Sequence, residues 1–169
     1  MLRLSTFFTR KKIAEAVAAP SAPAALSVEQ IALIRTTFRK VVPISTTAAE
    51  LFYDRLFFIA PDVKPLFVGE SGSPEMAAQG KKLMAMLAIV VQELDNPDVL
   101  MPAAADLAKR HVGYSVKAAH YAPVGEALLW ALEQGLQDEF TPDVKEAWAS
   151  AYGVLSSAMI QAAYGREAA

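Results

Sequence analysis

The chain has 169 residues, of which 54% are hydrophobic and 20% charged, and its formal net charge is −2. This composition predicts one globular domain with a sizeable core and excludes a disordered chain or a nucleic-acid-binding protein with a strong positive field. There is no cysteine and there are only two histidines, which excludes disulfides, thiol nucleophiles and three-histidine zinc sites.

Residues 1–26 differ from the rest and are predicted to be a basic extension followed by an Ala/Pro linker. The segment MLRLSTFFTRKKIAEAV has a local charge of +3, whereas residues 27–169 carry 12 basic and 17 acidic groups, a net charge of −5. One interpretation is a solvated extension, and the other is an amphipathic segment, residues 1–12, that contacts an anionic membrane or a protein partner. We do not expect a secretory signal, because no adequate apolar segment follows the charges.

The first half of residues 27–169 is predicted to be helical. Ser27-Val28-Glu29-Gln30 has the form of a capping box, and the helix that it opens is expected to end at Pro43. A second helix is predicted from about Thr46 to Phe58, and Pro61 opens a short turn. After the loop VGESGSPE, a long helix is predicted as far as Asn96-Pro97, with apolar residues spaced near 3.6 at Met76, Leu83, Leu87, Val90 and Leu94.

The second half shows the same periodicity. One helix places Leu100, Ala104, Leu107 and His111 on a single stripe, and Gly113 is expected to break it. Thr141-Pro142 begins the last helix with a cap and a proline at the first helical position. The stripes of the last two helices are Val124, Leu128, Leu132 and Leu136, and then Val144, Trp148, Tyr152, Leu155 and Met159. The sequence therefore predicts an all-α fold of six or seven helices, and its longest apolar run, residues 83–91, is about half of a membrane span.

Both histidines lie in the stretch RHVGYSVKAAHY, at His111 and His120. At about 100° per residue, nine positions place them on opposite sides of a continuous helix, so at most one is expected to bind a metal or do chemistry. His111 lies on an apolar stripe, which is typical of a satisfied core histidine but also of a ligand.

Two further polar residues, Gln79 and Tyr53, lie on apolar faces of other helices. Together with His111 they could line one cavity and satisfy a small polar ligand in an apolar pocket. Other chemistries fit less well, because the sequence lacks a Gly-x-Ser-x-Gly elbow, a Walker A motif, a dinucleotide fingerprint and Glu-x-x-His pairs.

Four segments in order give the region from about Ser27 to Tyr164 a family resemblance. They are LFYDRLF followed by APDVKPLF, then AAQGKKLMAML, then KRHVGYSVKAAHYAPVGEALL, and finally EAWASAYGVLSSAMI. The chain resembles a globin, and in particular the bacterial single-domain haemoglobins and the globin domain of flavohaemoglobins. The resemblance implies a globin fold over residues 27–169 but says nothing about residues 1–26.

The resemblance also implies non-covalent haem b, iron protoporphyrin IX, with His111 as the proximal iron ligand. Phe67 falls on the phenylalanine that packs on the haem, and Tyr53 and Gln79 fall on the distal residues that donate hydrogen bonds to a gas ligand. Further positions that the resemblance places at the cofactor are Leu83, Leu107, Val116, Tyr121, Val124 and Lys82, the last at a propionate unless it is simply solvated.

The sequence departs from the family pattern at two positions. Tyr121 matches a tyrosine that supports the proximal histidine, but the acidic partner of that pair aligns with Ala163, so a backbone carbonyl is the alternative acceptor for the histidine. Gly80 replaces a proline that often follows the distal glutamine, and a looser helix start is expected there. His120 aligns with a histidine outside the iron's coordination shell and is expected to be structural or exposed.

The resemblance implies reversible binding of dioxygen, carbon monoxide and nitric oxide, with oxygen scavenging or nitric oxide detoxification as roles. The printed sequence has no flavin or nicotinamide domain, so sustained dioxygenase turnover is expected to need an external reductase. The alternative is a haem-based gas or redox sensor that signals through residues 1–12 or a partner, and a haem-free interaction domain is a third hypothesis. We expect a cytoplasmic monomer or homodimer, with or without peripheral membrane association.

Overall fold

The computed structural model describes residues 25–165, which form six α-helices joined by short turns. The helices are α1 (Val28–Val41), α2 (Ser45–Ile59), α3 (Pro74–Gln92), α4 (Pro97–Gly113), α5 (Tyr121–Leu136) and α6 (Pro142–Tyr164). Short 3₁₀ turns cover Val42–Ile44, Pro61–Leu66, Ala118–His120 and Gln137–Glu139. No strand occurs in this part of the chain, and the prediction of an all-α fold with six or seven helices is confirmed.

Local sequence signals account for the helix starts. The Ser27 hydroxyl accepts from the Gln30 backbone N–H at 3.2 Å, and the Gln30 side chain accepts from the Ser27 N–H at 3.0 Å, which is the predicted capping box. Thr141 caps α6 in the same way by accepting from the Val144 N–H. Because a first-turn N–H has no helical partner, proline is tolerated there, and α3, α4 and α6 all begin with one.

A large core forms where α2 packs against α5 and α3, and where α1 packs against α6. Ile34 and Leu56 are almost completely buried in it. The Trp148 indole N–H, also buried, donates to the Thr37 hydroxyl at 3.0 Å, so the one buried polar side chain pair between α1 and α6 is satisfied. This core fixes α2, and therefore the face that carries Tyr53.

A second, smaller cluster lies between α4 and α6. Its buried members are Ala104, Ala108, Tyr121 and Met159, and Leu107, Val116, Leu155, Ile160, Ala163 and Tyr164 pack against them. Tyr121 and Val124 are one turn apart on α5, and Val124 packs against the large core. The two clusters therefore meet at the first turn of α5.

The expectation that the helix breaks at Gly113 is confirmed, because α4 ends at that residue. The helix includes Gly113, and the residue in the left-handed region is Ser115, with φ of 64°. The Ser115 N–H donates to the Val112 carbonyl and the Val116 N–H donates to the His111 carbonyl, which is the hydrogen-bond pattern of a Schellman motif. Gly113 therefore marked the end of the helix correctly, whereas the left-handed residue of the turn, Ser115, was not predicted.

Helix α3 runs without interruption through Gly80, and the looser helix start expected there stays a prediction. A Cβ at Gly80 would lie 3.0 Å from the Cβ of Ala49 on α2, so the missing side chain allows the two helices to approach closely. The helix is regular from Pro74 to Gln92.

Within residues 25–165, no helix is long and apolar enough to cross a bilayer.

The prediction for the N-terminal extension falls almost wholly on residues 1–24, which lie outside the described residues. Leu26 is half-buried and packs against the large core. The division into an extension of residues 1–26 and a domain of residues 27–169 therefore stays a prediction.

Candidate functional site

His111 lies in the last turn of α4 and is half-buried. Its Nδ1 is 2.8 Å from the backbone carbonyl oxygen of Leu107, one helical turn earlier. A carbonyl can only accept, so the neutral ring must carry its proton on Nδ1 and present an unprotonated Nε2. That is the form of imidazole that coordinates a metal ion, and the acceptor is a backbone carbonyl, the alternative that the sequence had left open.

The end of α4 holds this histidine in place through its own backbone. The His111 carbonyl accepts from the Tyr114 N–H at 3.0 Å and from the Val116 N–H at 3.1 Å. Both bonds belong to the left-handed turn at Ser115. The backbone of His111 is therefore fixed by the turn that follows it, while its ring is fixed by the turn that precedes it.

Tyr121 is the nearest aromatic neighbour described for His111, with ring centroids 6.5 Å apart. It is 7% exposed, and its hydroxyl has no hydrogen-bond partner among residues 25–165. Burial, and then the nearby Tyr164, raise the pKa of Tyr121 to about 12. Ala163 lies in the same cluster, so the α6 position that the sequence had aligned with a carboxylate offers this hydroxyl no acceptor.

Two tyrosines on α6 hold the chain between His111 and α5, and sequence reasoning missed this role for both. The Tyr164 hydroxyl donates to the Val116 carbonyl and the Tyr152 hydroxyl donates to the Tyr121 carbonyl, each at 2.6 Å. A Cβ at Gly125 would lie 2.5 Å from the Tyr152 ring, so this approach of α6 to α5 requires glycine. The stripe of α6 had identified Tyr152 as a core residue, but periodicity does not reveal which carbonyl a hydroxyl reaches.

Tyr53 lies on α2 within a cluster of aromatic rings. Its ring centroid is 5.4 Å from that of Phe67 and 5.9 Å from that of Phe57, and it is 4% exposed. Phe67 follows the 3₁₀ turn Pro61–Leu66 in an extended conformation, which turns its side chain towards α2. Phe57 contacts both rings, with its centroid 5.4 Å from that of Phe67, and had not been singled out from the sequence.

Gln79 lies on α3 and faces the same tyrosine. Burial raises the pKa of the Tyr53 hydroxyl above its ordinary value, and a side-chain interaction with Gln79 opposes that rise. The phenol therefore stays neutral and keeps its proton to donate at physiological pH. The structure brings these two residues together, as expected from their positions on apolar faces.

The remaining predicted site residues divide by burial. Leu83, Leu107, Val116 and Val124 are half-buried; Leu83 and Val124 pack against the large core, and Leu107 and Val116 against the smaller cluster. Lys82 is exposed on α3.

We call Tyr53, Phe57, Phe67, Gln79 and Leu83 the distal wall, and Leu107, His111, Val116 and Tyr121 the proximal wall.

His120 lies apart from His111, in the 3₁₀ turn Ala118–His120. Its Nδ1 accepts from the Lys117 N–H at 3.1 Å, and its Nε2 is 3.7 Å from the Asp62 carboxylate. Among residues 25–165, no group of three or more histidine, cysteine, aspartate or glutamate side chains could hold a metal ion.

Comparisons with known proteins agree with this arrangement of helices and residues. A family model described as Globin matches residues 50–159, more than half of the chain. Proteins named flavohemoprotein from Bordetella parapertussis and Rhodopirellula baltica are 33% and 34% identical over 144 residues, which cover 85% of this chain and 34% of theirs. One from Xylella fastidiosa is 34% identical over 134 residues, 79% of this chain and 33% of its own. The chain thus spans about a third of the length of these relatives, and it belongs to the globin family.

Proposed function

We propose that this chain is a haem-b globin that holds iron protoporphyrin IX non-covalently and reversibly binds dioxygen and other diatomic gases. Membership of the globin family implies a haem cofactor and gas binding. The observation that carries the assignment of the ligand is the bond from His111 Nδ1 to the Leu107 carbonyl, which leaves Nε2 free to coordinate iron.

The residues on both walls fit a flat, largely apolar cofactor. Leu107 and Val116 beside His111, and Leu83 and Phe67 on the distal wall, are half-buried apolar side chains that a porphyrin could cover. Once bound, the haem iron supplies the coordination position at which a gas ligand is held. Lys82 is exposed and lies three residues after Gln79, where a lysine can meet a propionate.

The distal wall suits a ligand with partial negative charge. Tyr53 offers a neutral hydroxyl in an aromatic surrounding, and Gln79 offers an amide that can also donate. Hydrogen bonds in a site with little water are stronger than in solvent. We therefore propose tight oxygen binding with slow release, which suits scavenging or chemistry better than bulk transport.

We further propose nitric oxide detoxification as a reaction of the oxygenated protein. Dioxygen, nitric oxide and one electron combine to nitrate; bound haem would supply that electron, and an external reductase would replace it. The support is the likeness to proteins named flavohemoprotein, of which this chain covers only the globin portion. Mixing the oxygenated protein with nitric oxide and assaying nitrate tests this step, and recovery of nitric oxide without nitrate would exclude it.

An optical spectrum tests the haem assignment. The purified ferrous protein should show a Soret band that shifts on addition of carbon monoxide, and His111→Ala should lose or alter that band. The matched control is Val112→Ala, an exposed neighbour on the same helix, which should behave as wild type. A wild-type chain that remains colourless after addition of haemin would overturn the proposal.

A further inference from the structure

His120, the second histidine of the chain, lies in one turn and faces a second turn, and each turn leads into a residue of the candidate site. One turn is Ala118–His120, which leads directly into Tyr121 on α5. The other is Pro61–Leu66, which contains Asp62 and leads into Phe67. The His120 side chain is 13% exposed and that of Asp62 is 73% exposed. The ring is therefore largely enclosed, while its acidic partner lies at the surface.

The partners of the ring define its tautomer. The Lys117 backbone N–H can only donate, so Nδ1 of His120 must be the acceptor and the neutral ring carries its proton on Nε2. That nitrogen is the one 3.7 Å from the Asp62 Oδ2 atom, which is longer than a hydrogen bond, so the neutral ring faces the carboxylate through its N–H dipole. His111, whose Nδ1 donates to Leu107, has the opposite tautomer.

The two contacts of His120 act on different segments. The bond from Lys117 closes the turn before α5 and is local, since it spans three residues. The contact with Asp62 is long-range and joins that turn to the segment whose Val63 is buried in the large core and whose end is Phe67. Phe67 in turn packs on Tyr53, and Tyr121 lies beside His111.

We propose that His120 is a positioning residue: in its Nε2–H tautomer it holds the Pro61–Leu66 turn against the start of α5, and so fixes Phe67 of the distal wall relative to Tyr121 and His111 of the proximal wall. The effect of His120 on cofactor retention rests on the proposed haem function. The tautomer of His120 and its effect on the two turns do not depend on haem.

Amide variants separate the two contacts of the imidazole. In His120→Asn, the side-chain oxygen can take the place of Nδ1 and accept from Lys117, but the side chain is too short to reach Asp62. In His120→Gln, the amide nitrogen can take the place of Nε2 and reach Asp62. Asp62→Ala removes the acidic partner, and Asp138→Ala is the control, an exposed acid in another 3₁₀ turn.

The first measurement is amide hydrogen exchange on the full chain, because it needs no haem. His120→Asn and Asp62→Ala should each speed exchange at Val63 and Phe67 by about twofold, less than the limit for an exposed ion pair because the neutral ring offers only an N–H dipole, and leave the 118–121 turn protected. His120→Gln and Asp138→Ala should resemble wild type. The double variant His120→Asn/Asp62→Ala should be no faster than either single variant, since both remove the same contact.

The second measurement is the rate at which haem passes from the loaded protein to excess apomyoglobin. His120→Asn and Asp62→Ala should lose haem faster than the wild type, and His120→Gln and Asp138→Ala should resemble the wild type. Long-range ¹H–¹⁵N spectra should also show His120 in the Nε2–H form. Faster exchange confined to residues 118–121, additive effects of the two substitutions, or a His120 ring protonated on Nδ1 would each overturn the positioning role. A chain that takes up no haem would instead refute the proposed function, and exchange at Val63 and Phe67 would still decide the role of His120.

Discussion

Tyr53 and Tyr121 are both buried tyrosines on α-helices that border the site, but their hydroxyls have different surroundings. Tyr53 lies in the large core among aromatic rings, and its hydroxyl interacts with Gln79. Tyr121 lies in the small cluster between α4 and α6, and its hydroxyl has no partner among the described residues. The distal wall is thus part of a large core, whereas the proximal wall lies in a small cluster in which residues of α4 and α5 pack against α6 and backbone carbonyls accept the hydrogen bonds.

The two walls therefore have different proposed roles: the distal wall supplies hydrogen-bond donors, and the proximal wall holds His111 in position. The distal wall contains the buried, neutral phenol of Tyr53 beside the Gln79 amide, and under the proposed function these groups would face a gas ligand. The proximal wall fixes His111 through the Leu107 carbonyl and fixes the chain around it through Tyr152 and Tyr164. A carbonyl is a weaker acceptor than a carboxylate, so we expect less electron donation to iron here than in relatives with an acidic partner.

Hydrogen exchange should show the largest difference between the two walls. Helix α4 packs mainly against α6, whereas α2 packs against α5 and α3. We expect amides in the middle of α4 to exchange at least roughly 100-fold faster than those of α2 in the haem-free chain, because local opening of α4 exposes little core. Loading with haem should reduce this difference between the exchange rates of α4 and α2, because a bond from His111 to the iron would restrain α4. Equal protection of α2 and α4 without haem would contradict the comparison.

Removing the distal hydroxyl should have the next largest effect. A hydrogen bond to a partly charged ligand contributes about 1.5–3 kcal/mol, so Tyr53→Phe should speed oxygen release by about 10- to 100-fold. Stopped-flow displacement of oxygen by carbon monoxide measures this rate. Tyr114→Phe is the control, since Tyr114 is an exposed tyrosine next to the proximal turn. An unchanged rate in Tyr53→Phe would remove the hydroxyl from the ligand site.

Much of this comparison was predictable from the sequence, and the limits have physical causes. The capping box at Ser27 and the Thr141-Pro142 start were read correctly because they depend on neighbouring residues. The break at Gly113 was also correct, since α4 ends there, but the left-handed turn at Ser115 was not predicted because serine rarely adopts that conformation. The carbonyl partners of Tyr152 and Tyr164 were missed because a hydroxyl's acceptor across 31 or 48 residues is set only by packing.

Tyr121→Phe should have a smaller effect, visible at alkaline pH. The folded pKa of about 12 lies above the ordinary value of 10.0, so the folded state holds the proton more tightly. The corresponding stability is fully present below pH 10 and is lost as the pH rises through about 12. Between pH 8 and 12, the free energy of unfolding measured with urea should fall less steeply with pH in Tyr121→Phe than in the wild type. Some dependence on pH should remain, because burial also raises the pKa of Tyr152.

The same variant should lose little stability at neutral pH, because it removes a buried hydroxyl that has no partner among the described residues. The matched comparison is Tyr152→Phe, which leaves the Tyr121 carbonyl without its donor and should destabilise the fold by about 1 kcal/mol. If Tyr121→Phe proved the more damaging of the two at pH 7, its hydroxyl would have a partner that we have not identified.

Substitutions at the end of α4 should have the smallest effects. Ser115→Gly relieves a left-handed residue, and Gly113→Ala removes flexibility from a helical position with open space around its Cβ. Each should raise the free energy of unfolding by about 0.5–1 kcal/mol, as measured by chemical denaturation. A loss of stability in Gly113→Ala would mean that the helix does not extend to this residue.

The central claim, that His111 Nε2 binds haem iron, is tested most directly by replacing that ring with free imidazole. His111→Gly should take up haem poorly and lose the carbon monoxide spectrum of the wild-type ferrous protein, and added imidazole should restore it, whereas Val112→Ala should need none. A His111→Gly variant whose ferrous carbon monoxide spectrum matched the wild type without imidazole would contradict the account.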